Sequence, residues 1–157
     1  MTLAALHFQI VGPTSWNSTN ALPGLVLPDD PQLIVTVHFY EAFRFTHQGA
    51  EWVSGADAWL DTPWLGTDSD KAFLLDILAT AAGWGDVHQR PIFVGEFGAY
   101  SRADIFSRVR WTDFVAREAE RLGMSWAHWE FMSGFGLYNL QNDTWDELLK
   151  AALVPPA

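Results

Sequence analysis

Glu96 closes a short apolar run, Pro91-Ile92-Phe93-Val94-Gly95-Glu96, and stands between two glycines. A carboxylate at the end of a buried strand is a candidate nucleophile or proton carrier, and flanking glycines let backbone or ligand approach closely. On these residues alone a solvated glutamate at a strand end remains the competing reading. His38 and Tyr40 lie two apart at the end of a second apolar run, so a strand would put them on one face. They could orient a carboxylate and hydrogen-bond hydroxyl groups of a ligand; a satisfied histidine beside a mouth-lining tyrosine is the alternative. A tyrosine hydroxyl donating to a carboxylate favours the ionised form that a nucleophile requires. His47, Gln48 and Glu51 have the spacing of metal ligands. They lack a His-Glu-x-x-His pattern or a further carboxylate cage, so they read as loop architecture, and no metal is expected.

The elements that must position these groups are four apolar runs, Phe8–Val11, Leu33–His38, Pro91–Glu96 and Ser125–Glu130, each followed by a turn signal. Such runs read as strands buried on both faces of a parallel sheet. Helical stripes separate the last three. One spans Asp70 to Ala82, with Asp68 or Ser69 as N-cap. A second lies within Ile105 to Leu122, stopped by Gly123. A last, short helix spans about Thr144 to Leu153 and is ended by Pro155-Pro156. The stretch from Gly12 to Pro31 reads as a long loop. The order predicts an α/β fold with about four parallel strands and covering helices. An open sheet and half of a (β/α)8 barrel, which typically has about 250 residues, fit equally. Alternation from Glu96 puts Val94 and Ile92 on its face, with Gly95 and Phe93 towards the helices. It gathers Tyr40, His38, Thr36 and Ile34 on one face and turns Glu130 away from Trp129.

The composition narrows the ligand. Nineteen acidic against nine basic residues give a formal charge of −10, which opposes nucleic acid and offers an anionic membrane nothing. A neutral sugar polymer is compatible. Nine tryptophans exceed what a 157-residue core hides easily, because each indole N–H needs a partner. Trp16, Trp52, Trp59 and Trp64 lie in long loops on the mouth side, and at least half of them read as loop cores. Trp129 offers a flat apolar face to a pyranose ring or to the core. The absence of cysteine excludes disulfides and thiolate metal sites. Met1 to His7 lacks the basic start and long apolar run of a secretory signal, so the chain as given reads as soluble, with no export address.

Six blocks, in order, resemble the cellulase-type glycoside hydrolases of family 5. They are Val11-Gly12-Pro13 with Trp16-Asn17-Ser18; Leu27-Pro28-Asp29-Asp30; Val37-His38-Phe39-Tyr40-Glu41; Phe45 to Trp52; Gly95-Glu96-Phe97-Gly98-Ala99-Tyr100-Ser101; and Trp126-Ala127-His128-Trp129-Glu130-Phe131. The resemblance implies that residues 1–157 form a single half-barrel domain matching barrel strands five to eight. It implies a retaining hydrolase of β-1,4-glucan with Glu96 as nucleophile, assisted by His38 and Tyr40. Trp129, Trp16, Trp52 and Asn17 would contact a β-glucan or cello-oligosaccharide, and no cofactor is implied. The family often has a cis peptide after the tryptophan matched by Trp129, and its members are often secreted. The Asn-Glu-Pro block that carries the family's acid/base has no counterpart here. Glu41, Glu51 and Glu130 are substitutes by type only. A half-barrel exposes an apolar concave face and two open edges, so a homodimer or higher oligomer that closes the barrel is expected. The other reading is a weak or inactive half-barrel that binds carbohydrate or serves as a self-associating fold fragment.

Overall fold

The computed structural model describes residues 7–155. The N-terminal stretch before His7 and the second residue of the Pro155-Pro156 stop lie outside them. The elements run β1 (Gln9–Val11), α1 (Thr14–Asn17), a 3-10 turn (Thr19–Gly24), β2 (Leu33–Phe39) and α2 (Phe43–Thr46). They continue through a second 3-10 turn (Ala56–Trp59), α3 (Asp68–His88), β3 (Ile92–Phe97), α4 (Ile105–Arg121) and β4 (Ser125–His128). A small hairpin, β5 (Tyr138–Asn139) with β6 (Thr144–Trp145), and α5 (Glu147–Leu153) complete them. Strands β1 to β4 form one parallel sheet in the order β1-β2-β3-β4.

One face of that sheet is the core. Val35, Val37 and Phe39 of β2 and Ile92, Val94 and Phe97 of β3 join Leu74, Leu78 and Ala81 of α3 and Trp111, Val115 and Ala119 of α4 in one cluster. Trp111 is fully buried, and its indole N–H donates to the carbonyl of Glu41 at 2.7 Å, so the largest core side chain leaves no polar atom unmatched. The other face carries Ile34, Thr36 and His38, half-buried in strict alternation. On that face Ile10 of β1, paired with Ile34, is 57% exposed, and Phe8 just before the strand is 65% exposed.

The alternation expected around Glu96 is corrected by a bulge. Val37 pairs with Val94, but His38 pairs with Glu96, and Gly95 has no partner on β2. Against β4 the register also gains one residue on β3, between Val94 and Phe97. One extra residue reverses the facing of everything after it. Val94 and Ile92 therefore point into the helix-side core, while Glu96 joins His38 on the opposite face.

Three boundaries also differ from expectation. Helix α3 begins at Asp68 and runs to His88, because Thr67 is the N-cap. Its hydroxyl accepts from the Asp70 amide at 3.2 Å, and Asp70 returns the bond to the Thr67 amide at 3.0 Å, a capping box. Helix α5 starts only at Glu147, capped by Asp146, since Thr144 and Trp145 pair in the hairpin. The stretch from Gly12 to Pro31 holds a single left-handed turn, α1, and the first 3-10 turn within an otherwise irregular path. Gly123 ends α4 as expected, with φ +73° just beyond the cap.

Replacing Trp111 by Ala is expected to destabilise the chain by about 3–5 kcal/mol, read as a lower denaturant midpoint with unchanged slope. Phe106→Ala, on the exposed side of the same helix, should stay within about 0.5 kcal/mol of the parent.

Candidate active site

The ends of β1, β2, β3 and β4 open onto a cleft of ≈ 1060 Å³. Its centre is Glu96. The Tyr40 hydroxyl donates to Glu96 Oε2 at 2.9 Å, and His38 Nδ1 lies 3.2 Å from the same oxygen. Asn17 Nδ2 is 3.0 Å from His38 Nε2. With the amide donating to Nε2, the ring proton stays on Nδ1 and faces the carboxylate. One donor, Tyr40, and the close His38 ring thus hold one carboxylate oxygen, and Oε1 has no protein partner among the described residues.

The chain reaches this arrangement through unusual backbone. Ser15, Trp16 and Asn17 are left-handed, with φ of 58°, 54° and 57°, and this turn folds Asn17 back over Gly12. A Cβ on Gly12 would collide with the Asn17 carboxamide, its Cγ being 2.7 Å from where that atom would stand. Only glycine therefore lets Asn17 reach His38. Asn17 is not part of the cleft wall: it contacts His38 where a contact to substrate was expected. At the other end, the Trp129 amide donates to the Phe97 carbonyl at 2.8 Å. Gly98 admits the Trp129 carbonyl where any side chain would clash. The Trp129–Glu130 peptide is cis, as the resemblance implied, and Glu41–Ala42 is a second cis bond.

Burial, donation to Glu96 and the nearby charges of Glu96 and Glu130 push the Tyr40 phenol far above its ordinary range, so it remains a donor. Thr46 donates to the Tyr40 carbonyl at 2.7 Å, and the His47 ring meets the Tyr40 ring edge-on at 5.1 Å. His47 itself stacks on Phe43 at 4.1 Å, and burial pulls its pKa down to about 4. The other residues of the ligand-like spacing go elsewhere. Gln48 donates to the Phe45 and Thr62 carbonyls, and Glu51 accepts from Tyr100 at 2.7 Å. Among the described residues no three His, Asp or Glu side chains converge to hold a metal.

Trp16, Trp52 and Trp129 all line the cleft with their rings exposed, whereas Trp64 is buried and Trp59 half-buried. Glu130 lines it too, accepting from Ser133, and so does not face away from Trp129; β4 ends at His128, and strand alternation stops there. Glu41 lies at the cleft with its carboxylate on the Tyr40 amide, its pKa raised chiefly by burial. Tyr100 and Phe135 complete the wall beside Trp52, at 4.9 and 6.1 Å between ring centroids. Sequence reasoning gave these two no role. Both follow glycine-rich turns, and no periodic signal marks which way such residues point.

A family model described as Cellulase (glycosyl hydrolase family 5) matches residues 4–134. Endoglucanase H of Acetivibrio thermocellus is 32% identical over 153 residues, which cover 94% of this chain and 16% of that protein. Among solved structures, Thermotoga maritima Cel5A in complex with cellobiose superposes with a TM-score of 0.92 at 44% identity. The match covers 94% of this chain and 48% of that one. The same protein's complex with mannotriose gives the same score, identity and coverage. The chain thus spans about half the length of the solved structures it matches and less of this curated relative.

Two buried histidines give the fold an acid-sensitive range. Burial lowers the pKa of both His47 and His128 from 6.5 to about 4, and for His128 the Arg108 charge adds to it. The unfolded chain takes up protons below 6.5 that the folded chain refuses. Their contribution is therefore whole above pH 6.5 and declines down to about pH 4. Urea midpoints measured across that window should fall with pH, and His47→Gln should flatten the fall relative to the parent.

Proposed function

The chain belongs to the cellulase family, glycosyl hydrolase family 5, and from that membership we propose that it hydrolyses β-1,4-linked glucan by a retaining mechanism with Glu96 as nucleophile. The observation that carries this reading is the pinning of Glu96 Oε2 by Tyr40 and His38, with Oε1 unengaged beside the cleft. Oε1 forms a bond to the anomeric carbon as the glycosidic C–O bond breaks, and an acid gives the departing oxygen its proton. Water then attacks the same carbon, yields a proton to that group's conjugate base, and releases Glu96. Groups already in place on Oε2 hold the attacking carboxylate aimed, with no reorganisation at the moment of reaction. Trp129, Trp16 and Trp52 supply apolar faces for the rings of a β-glucan or cello-oligosaccharide. Cellobiose and mannotriose bound to the Thermotoga relative support a short neutral oligosaccharide as ligand.

The acid/base is the open member of the pair. Two carboxyl groups about 5–5.5 Å apart are needed. Glu41, Glu51 and Glu130 are each engaged in local bonds, to the Tyr40 amide, the Tyr100 hydroxyl and the Ser133 hydroxyl. We assign residues 1–157 to one half-barrel domain corresponding to strands five to eight. A second copy closes the barrel in a homodimer or higher oligomer. The exposed Phe8 and Ile10 on the helix-free face and the open edges of β1 and β4 support this assembly. Those same local bonds favour a second reading, a carbohydrate-binding half-barrel with little or no turnover.

Hydrolysis of carboxymethylcellulose or an aryl cellobioside decides between the two. Glu96→Gln should lower the rate by at least about 10³-fold, and Tyr40→Phe by about 10- to 100-fold. Glucan binding without turnover, surviving Glu96→Gln and lost in Trp129→Ala, would establish the binding module instead. Light scattering should give a dimer mass or larger; a cooperatively folded monomer would overturn the assembly.

A further inference from the structure

Beyond the cleft, the segment after Trp129 builds a second surface that hydrolysis at Glu96 does not use. Hairpin β5–β6 places Tyr138 opposite Trp145. Phe131 stacks on Tyr138 at 5.3 Å and meets Trp145 edge-on at 5.5 Å. A two-stranded hairpin is marginal in water, and a cross-strand aromatic pair is a direct way to hold it. Holding the hairpin does not require the rings to stay wet, yet Phe131 is 51% and Trp145 41% exposed, with Leu140 and Met132 exposed beside them.

Tyr138, Trp145, Met132 and Leu140 border a groove of ≈ 740 Å³ whose wall also carries Asn139, Gln141 and Thr144, with Phe131 packed behind Tyr138. Apolar faces interleaved with amides and a hydroxyl match a pyranose chain, which presents C–H faces and equatorial hydroxyls in alternation. The charges nearby are already answered. Asp146 caps α5 through the Leu148 and Leu149 amides, and Lys150, 5.4 Å from the Trp145 centroid, is paired with Glu147 at 3.1 Å. Asp146 is the one charged residue in the groove wall, and its Oδ1 is taken up by the helix cap. Ser133 lines both this groove and the cleft, so the two adjoin there.

We propose that the β5–β6 hairpin is an accessory binding surface for a neutral β-linked glucan, holding the part of the chain that leaves the cleft past Ser133. The inference rests on the glucan reading of the cleft. Calorimetric titration of the 157-residue chain with cellotriose and with cellohexaose tests it. The longer sugar should bind about tenfold tighter, which is about 1.4 kcal/mol, and Trp145→Ala should bring that ratio close to one. Leu140→Asp, at the exposed tip and outside the ring cluster, should do the same without touching the packing that holds the hairpin. Equal affinity of the parent for both sugars, or a ratio unchanged in both variants, overturns the accessory surface and leaves the cleft reading intact. Failure of the parent to bind either sugar overturns both.

Discussion

One unpaired residue in the middle of β3 decides where the chemistry of this chain can sit. Gly95 adds a residue that β2 does not match, and the register against β4 shifts across the same stretch, so the facing of β3 reverses between Val94 and Glu96. Upstream, Ile92 and Val94 belong to the apolar layer under α3 and α4. Downstream, Glu96 stands with His38 on the face that opens to the cleft. An unbroken strand would have driven this carboxylate into a layer of valine, leucine and tryptophan, where an unpaired charge is prohibitively costly. The bulge lets one strand serve both as core and as carrier of an ionised group.

Everything around Glu96 is arranged about its Oε2. Tyr40 and His38 converge on it, Asn17 holds the imidazole, and Thr46 and His47 hold the backbone and ring of Tyr40. Each member is satisfied by the next, which is the condition under which a half-buried polar network is rigid rather than destabilising. The network also draws on distant chain segments. Asn17 comes from the turn after β1, Tyr40 from the end of β2 and Glu96 from β3, so the local carboxylate geometry depends on the whole sheet register.

The sheet is asymmetric in what covers it. Helices shield one face, while Phe8 and Ile10 leave apolar surface in water on the other. That imbalance and the open edges of β1 and β4 are what a second set of strands would relieve. The aromatic hairpin after β4 is a smaller instance of the same imbalance, at the rim of the cleft rather than beneath it.

Much of this was legible before any coordinates. Short β-branched runs separated by amphipathic stripes must become a parallel sheet with covering helices, because no other arrangement buries both kinds of pattern. The residues at the strand ends, Glu96, His38, Tyr40 and Trp129, could be singled out because strand ends are where polar groups escape the core. Burial of Trp64 against exposure of Trp16 and Trp52 also shows that the loop tryptophans divide between core and surface. Tertiary structure alone decided the rest. The facing of Glu96 hinged on Gly95, and a bulge is a property of pairing between strands, invisible in one strand's alternation. The contact of Asn17 with His38 required a left-handed turn packed over Gly12. Tyr100, Phe135 and Glu130 reached the cleft from irregular segments, where no period dictates direction. Periodicity constrains a side chain only relative to its own element; which groups meet across elements is set by register and packing between them.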